Sequence, residues 1–160
     1  MMNNTIYISG PISDPTTSQP RTGWQKEFLE AEAKLRRMGF SVMNPVDIAR
    51  EVEEAFRWRY SHFGGPCSSD GEPKPMRADY IMACLQRMKM AQEADMLHGV
   101  YLIGDIDACK DSHGVQMELH LAEILGIPVF AEFRADNEIW TDSFYLKSER
   151  TIEGLLEDKA

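Results

Sequence analysis

The 160 residues predict an α/β domain built on a mainly parallel sheet of four to five strands. Three observations carry this reading. Short β-rich apolar runs alternate with stretches of helical period. Gly, Pro or Asn closes most of these runs. The length suits one domain with a full core, so 1–160 is read as a single unit.

Thr5-Ile-Tyr-Ile-Ser9 reads as a buried strand ended by Gly10-Pro11, with a loop continuing through Pro20. Trp24, Phe28, Ala31, Leu35 and Met38 then recur at helical spacing, and Gly39 supplies the stop. Phe40-Ser-Val-Met-Asn44 is a second strand closed by Pro45, and Asp47 is positioned to cap a helix through about Arg57. Residues 58–76 show neither period and read as a loop insertion. Helix formers return from Met76 to Ala94, with Ile81, Leu85 and Met88 along one side. Val100-Tyr-Leu-Ile103 is the third strand, and an acidic loop over 105–111 leads to a helix that ends at Leu125-Gly126. Ile127-Pro-Val-Phe130 is the fourth strand. Residues 131–160 form a C-terminal extension, with an edge strand at 144–146 and a short helix over 151–158. Parallel strands need right-handed helical crossovers, so the alternation implies a flavodoxin or Rossmann-like three-layer sandwich. Ligands of such sheets bind beyond the carboxyl ends of the strands, where strand order reverses.

The composition excludes several classes of function. A formal charge of −9 opposes attraction to nucleic-acid polymers, while one phosphate can still be held by a local nest of amides. No apolar run approaches bilayer length, and the start Met-Met-Asn-Asn lacks a secretory pattern, so a cytoplasmic protein is expected. Cys67, Cys84 and Cys109 are odd in number and widely spaced, which suggests neither a disulfide framework nor a zinc site. Glu118 and His120 fall on different helix faces, which is poor spacing for a metal. There is no GxGxxG, GxxxxGK[ST] or GxSxG sequence, so neither a cofactor nor a metal is expected.

The segment from Asp111 to Val129 carries the most chemistry. Ser112 and Gly114 free backbone N–H groups at a helix start, where the helix dipole favours an anion. His113 lies in the same turn. Glu118 follows Ser112 by six residues, roughly 6–9 Å of helical rise, about the span of a ribose from its phosphate to its anomeric carbon. Two readings stand: a nucleophile facing a sugar, or an N-capped helix that carries a glutamate on its exposed face.

Several ordered motifs resemble the nucleoside 2-deoxyribosyltransferase superfamily, most closely its small phage and bacterial DUF4406 branch. They are Tyr7-Ile-Ser-Gly-Pro11, Gly39 with Asn44-Pro-Val46, Met76-Arg-Ala-Asp79, Ala94-Asp95 before Val100-Tyr-Leu102, Ser112-His-Gly114 with Glu118, and Leu125-Gly-Ile-Pro-Val129. The resemblance covers roughly residues 5–130. It implies that Glu118 attacks the anomeric carbon and forms a covalent glycosyl intermediate, as in retaining glycosidases. It implies that Tyr7 holds this carboxylate, the alternative being an aromatic that packs in the core. Ser9, Gly10, Pro11 and Ile12 match the loop lining the sugar. Asp79 matches a carboxylate near the base that helps protonate the leaving group, or else it is a helix-start charge beside Arg77. Ser112 matches a position that is aspartate in the transferases and serine in the deoxynucleoside 5′-monophosphate N-glycosidases. A serine hydroxyl and the Gly114 amide can donate to a phosphate, which favours a nucleotide over a nucleoside.

The expectation is hydrolysis of the N-glycosidic bond of a 2′-deoxynucleoside 5′-monophosphate. The alternatives are base exchange between deoxynucleosides and a non-catalytic nucleotide sensor. The resemblance also implies a homodimer or higher homo-oligomer.

Overall fold

The computed structural model describes residues 4–14, 16–17, 19–63, 75–104 and 106–131. The expected elements at 144–146 and 151–158, the rest of the C-terminal extension after residue 131, and most of the 58–76 insertion lie outside them.

The chain runs β1 (Thr5–Ser9), α1 (Trp24–Arg37), β2 (Ser41–Met43), α2 (Pro45–Phe63), α3 (Arg77–Glu93), β3 (Leu97–Leu102), α4 (Ile106–Asp111), α5 (His113–Leu125) and β4 (Val129–Ala131). The strands form one sheet in the order β2-β1-β3-β4, and all three pairings are parallel. Ser9 pairs with Leu102, and Tyr7 lies between Met43 and Val100. The order reverses between β1 and β3, so the crevice expected of this fold opens at their carboxyl ends. This is the flavodoxin or Rossmann-like three-layer arrangement.

Alternation along β1 divides the core in two. Ile6 and Ile8 pack with Trp24, Phe28 and Leu35 of α1, together with Tyr101 and Phe130. Tyr7 faces the other side and packs with Ile48 of α2, Met88 of α3, Cys109 of α4, and Val115, Leu119 and Ala122 of α5. One strand therefore supplies both interiors, as its period of two requires.

The main differences from the sequence reading each have a local reason. Helix α2 starts at Pro45 and is capped by Asn44, not Asp47: Asn44 Oδ1 accepts the Val46 N–H at 3.0 Å, and Asp47 lies in the first turn. Helix α2 continues past Arg57 to Phe63 because nothing before Gly64 interrupts it; Trp58 and His62 stack with ring centroids 4.2 Å apart, and His62 Nδ1 lies 2.8 Å from the Trp58 carbonyl. Residues 106–111 form the short helix α4 where an acidic loop was expected. Its Cys109 is fully buried, and the thiol donates to the Ile103 carbonyl at 3.3 Å. Strand β3 begins at Leu97, after Asp95 with φ 56° has turned the chain out of α3. Strand β4 begins only at Val129, since Pro128 has no N–H to give the ladder, although its carbonyl accepts from Val100 at 2.9 Å.

Two glycines make the sheet edge possible. A side chain at Gly10 would stand 2.6 Å from Ile103 Cγ1. At Gly104, where φ is +97°, it would meet Pro11 Cδ at 2.9 Å. Without those atoms the loop after β1 lies directly on the loop after β3. Arg21 fastens the arrangement by donating from Nε (3.1 Å) and Nη2 (2.6 Å) to the Pro11 carbonyl.

Candidate active site

Helix α5 starts at a built cap. The Ser112 side chain accepts the Val115 N–H at 3.2 Å, and the Gln116 N–H reaches the Ser112 carbonyl at 3.0 Å. Helix geometry leaves the His113 and Gly114 N–H groups without an intrahelical acceptor, as open donors. The buried residues of α5 are Val115, Glu118, Leu119 and Ala122, a stripe at i, i+3, i+4 and i+7. Glu118 thus occupies a position where the helix period calls for hydrocarbon. Only 7% of it is exposed, which excludes the reading that placed it on the solvent face.

The residues around this carboxyl come from β1 and α3. Ser9 Oγ donates to Glu118 Oε1 at 3.3 Å. The Tyr7 hydroxyl and Glu118 Oε2 are buried and reach no partner in ordinary hydrogen-bond geometry, yet they lie close enough for each to shift the other's proton. We read them as neighbours just short of a bond. Burial pushes the Glu118 carboxyl up to about 8, against a smaller downward pull from Tyr7 and Ser9. Tyr7 is raised well above the usual phenol range, first by burial and then by the Glu118 and Cys84 charges. The Cys84 thiol is raised to about 12, mainly by burial and next by Glu118. The floor is therefore a set of three proton-bearing groups, each held toward its neutral form.

Above this floor opens a cavity of about 700 Å³, within the roughly 300–1,000 Å³ usual for small-molecule sites. Tyr7, Cys84 and Glu118 line it, with Ser112 and Gly114 on one wall. Two helical stripes supply further walls: Pro45, Ala49, Glu53 and Arg57 at four-residue intervals on α2, and Arg77, Tyr80, Ile81 and Cys84 on α3. Ile12, Pro20 and Trp24 close another side.

The expected site residues divide into two groups. Tyr7, Ser9 and Glu118 meet, and Ile12, Ser112 and Gly114 face the same cavity. Gly10 and Pro11 are buried where the two loops touch and hold the sheet edge instead of lining the cavity. Asp79 is exposed, off the cavity wall, and accepts the Met76 N–H at 2.7 Å, the position of a helix-start charge. His113 is exposed and likewise off the wall.

The sequence reading did not single out Cys84, Glu53, Arg57 or Tyr80. A four-residue period that passes from apolar to charged along 45, 49, 53 and 57 is the signal that marks such a wall. No cluster of three or more His, Cys, Asp or Glu placed to hold a metal ion occurs among the described residues. No described helix is long and apolar enough to cross a membrane. Comparison of the chain with protein-family models, with curated proteins and with solved structures finds no match.

Proposed function

We propose that the protein hydrolyses the N-glycosidic bond of a 2′-deoxynucleoside 5′-monophosphate, with Glu118 as nucleophile. One observation carries this reading: a carboxyl sits on an otherwise apolar helix stripe, at the floor of a cavity sized for a small molecule, beside the carboxyl end of β1. Burying it without an ion pair is costly. Such a cost is found where chemistry needs the group.

In the first step a Glu118 carboxylate oxygen bonds to the anomeric carbon as the C–N bond breaks, and the base leaves with the bonding electrons and takes a proton from water in the open cavity. Positive charge develops on the sugar beside the carboxylate and draws Glu118 toward its ionised form, reversing the effect of burial. Ser9 orients the attacking group through its bond to Oε1. Water then attacks the same carbon, breaks its bond to the Glu118 oxygen and passes a proton to solvent, which regenerates the carboxylate and yields the free sugar 5-phosphate. The Ser112 hydroxyl and the Gly114 amide receive the phosphate at the positive end of α5.

The test is release of free base, followed by chromatography, from a panel of deoxynucleotides, ribonucleotides and deoxynucleosides. Base release from deoxynucleotides that Glu118→Ala abolishes supports the proposal. A new nucleoside formed when free base is added replaces hydrolysis with transfer. Binding of deoxynucleotides with no release by any variant replaces catalysis with sensing.

A further inference from the structure

The cavity has a second carboxylate that the proposed chemistry does not use. Glu53 lies on the α2 wall, half-buried, and its Oε1 accepts the Tyr80 hydroxyl from α3 at 3.1 Å. A carboxylate offers about four acceptor sites, and this bond fills one. Arg57, one turn further along the same stripe, forms no ion pair with Glu53 among the described residues, and Arg77 on the facing helix forms none with it either. The tie between α2 and α3 does not depend on Glu53, because Arg87 pairs with Glu51 and Ile48 and Met88 share one core.

Ile81 stands 4.0 Å from where a Gly114 side chain would begin, so one face of α3 touches the phosphate corner. Tyr80, the next residue back, turns instead toward α2. Glu53 and Tyr80 line the same cavity as Glu118, Ser112 and Gly114 but stand on α2 and α3, not on α5, so a ligand that fills the cavity from α5 to α2 meets both.

We propose that Glu53, oriented by Tyr80, selects bases that carry an exocyclic amino group by accepting its N–H. This rests on the nucleotide reading of the cavity. A carboxylate fixed by one donor pairs with an amino group and repels a ring edge made of carbonyl oxygens. Arg57 and Arg77 supply donors for the acceptors of the same ligand.

The test compares 2′-deoxynucleoside 5′-monophosphates that differ by the amino group alone: guanine against hypoxanthine, adenine against unsubstituted purine, and cytosine against 2-pyrimidinone. In the unaltered protein the amino member of at least one pair is favoured about 10- to 100-fold in kcat/KM. Glu53→Gln removes most of that ratio, by lowering kcat/KM on the amino member more than on the amino-free member. Tyr80→Phe lowers the ratio by a smaller factor. Absence of any such ratio, or an equal loss on both members of a pair in Glu53→Gln, overturns the inference.

Calorimetric binding of the same pairs separates this result from the fate of the glycosidase reading. An amino preference that Glu53→Gln abolishes stands even if no base is released. Base release that depends on Glu118 but not on Glu53 for its selectivity sinks this inference alone.

Discussion

Ile6 and Ile8 leave β1 on one side of the sheet, and Tyr7 and Ser9 leave it on the other. The first side is hydrocarbon and aromatic, closed by Phe28, Leu35, Phe40 and Phe130. Its burial is repaid by transfer from water and close packing. The second begins as the same kind of core around Val100, Leu119 and Ala122, but also holds a carboxyl and a phenol with incomplete hydrogen bonding, beside the Cys84 thiol. Burial of such groups opposes folding. A single strand thus supports the fold with one face and, one residue out of phase, carries the polar cost of the candidate site with the other.

The largest expected break in this comparison is Glu118→Gln. Under the proposed chemistry the amide cannot attack, and turnover falls by about 10³-fold or more. Stability moves the opposite way. The folded carboxyl titrates at about 8, whereas an unfolded glutamate titrates near 4.3. Between those values the folded state binds the extra proton, so this group's contribution is fully present at low pH and is lost as pH rises through about 8. The variant and the unaltered protein therefore unfold alike near pH 4. Above pH 8 the variant is more stable by an amount on the order of 5 kcal/mol. Urea unfolding at the two pH values reads this directly. A destabilised variant at pH 8 shows that Glu118 is held by stronger bonds than those of Ser9 and Tyr7.

The apolar face predicts the reverse pairing of effects. Leu35, on the inward face of α1, is fully buried and does not line the cavity. Leu35→Ala removes about 2–5 kcal/mol of stability at every pH, since no titrating group is involved. Turnover per folded molecule stays unchanged below the shifted melting temperature. Loss of turnover in step with stability across 4–9 in pH would show that the two faces are not separable.

How far this division was legible in the sequence depends on the range of the interactions. The period of β1, the apolar stripe of α1 and the Ser112 cap involve neighbours within a dozen residues, and a reader of the chain sees them. Helix α4 has six residues, too few to display a period. The end of α2 depended on the absence of a breaker in 58–63, a weaker signal than the presence of one. In α5 the stripe of 115, 119 and 122 was legible and should have claimed position 118 as well, since i+3 belongs to the same face. The period of 45, 49, 53 and 57 could have put Glu53 on a common helix face, but the place of Cys84 and the pairing of Glu53 with Tyr80 were beyond reach. Their roles come from α3 lying against both α2 and α5, a tertiary fact that no local pattern encodes.

The finest test concerns the two hydroxyls of β1 and acts on Glu118 without removing it. Ser9 and Tyr7 each pull the Glu118 carboxyl down against the larger effect of burial. Deleting either hydroxyl leaves burial less opposed, so the carboxyl moves up from about 8. If Glu118 attacks as the anion, kcat/KM rises with pH along a limb that reports this group in the free protein. Tyr7→Phe and Ser9→Ala should each displace that limb upward by a fraction of a pH unit, up to about one. Carbon NMR of the labelled carboxyl gives the same midpoint with no substrate present. Tyr7→Phe also removes a buried hydroxyl that lacks a bond of good geometry, so its stability at neutral pH holds or rises slightly, unlike a typical core truncation. A limb that falls with pH through the same midpoint assigns Glu118 the role of proton donor instead. A midpoint that drops in both variants means the hydroxyls act on the neutral acid, and the polar end of β1 is then arranged to keep the proton on.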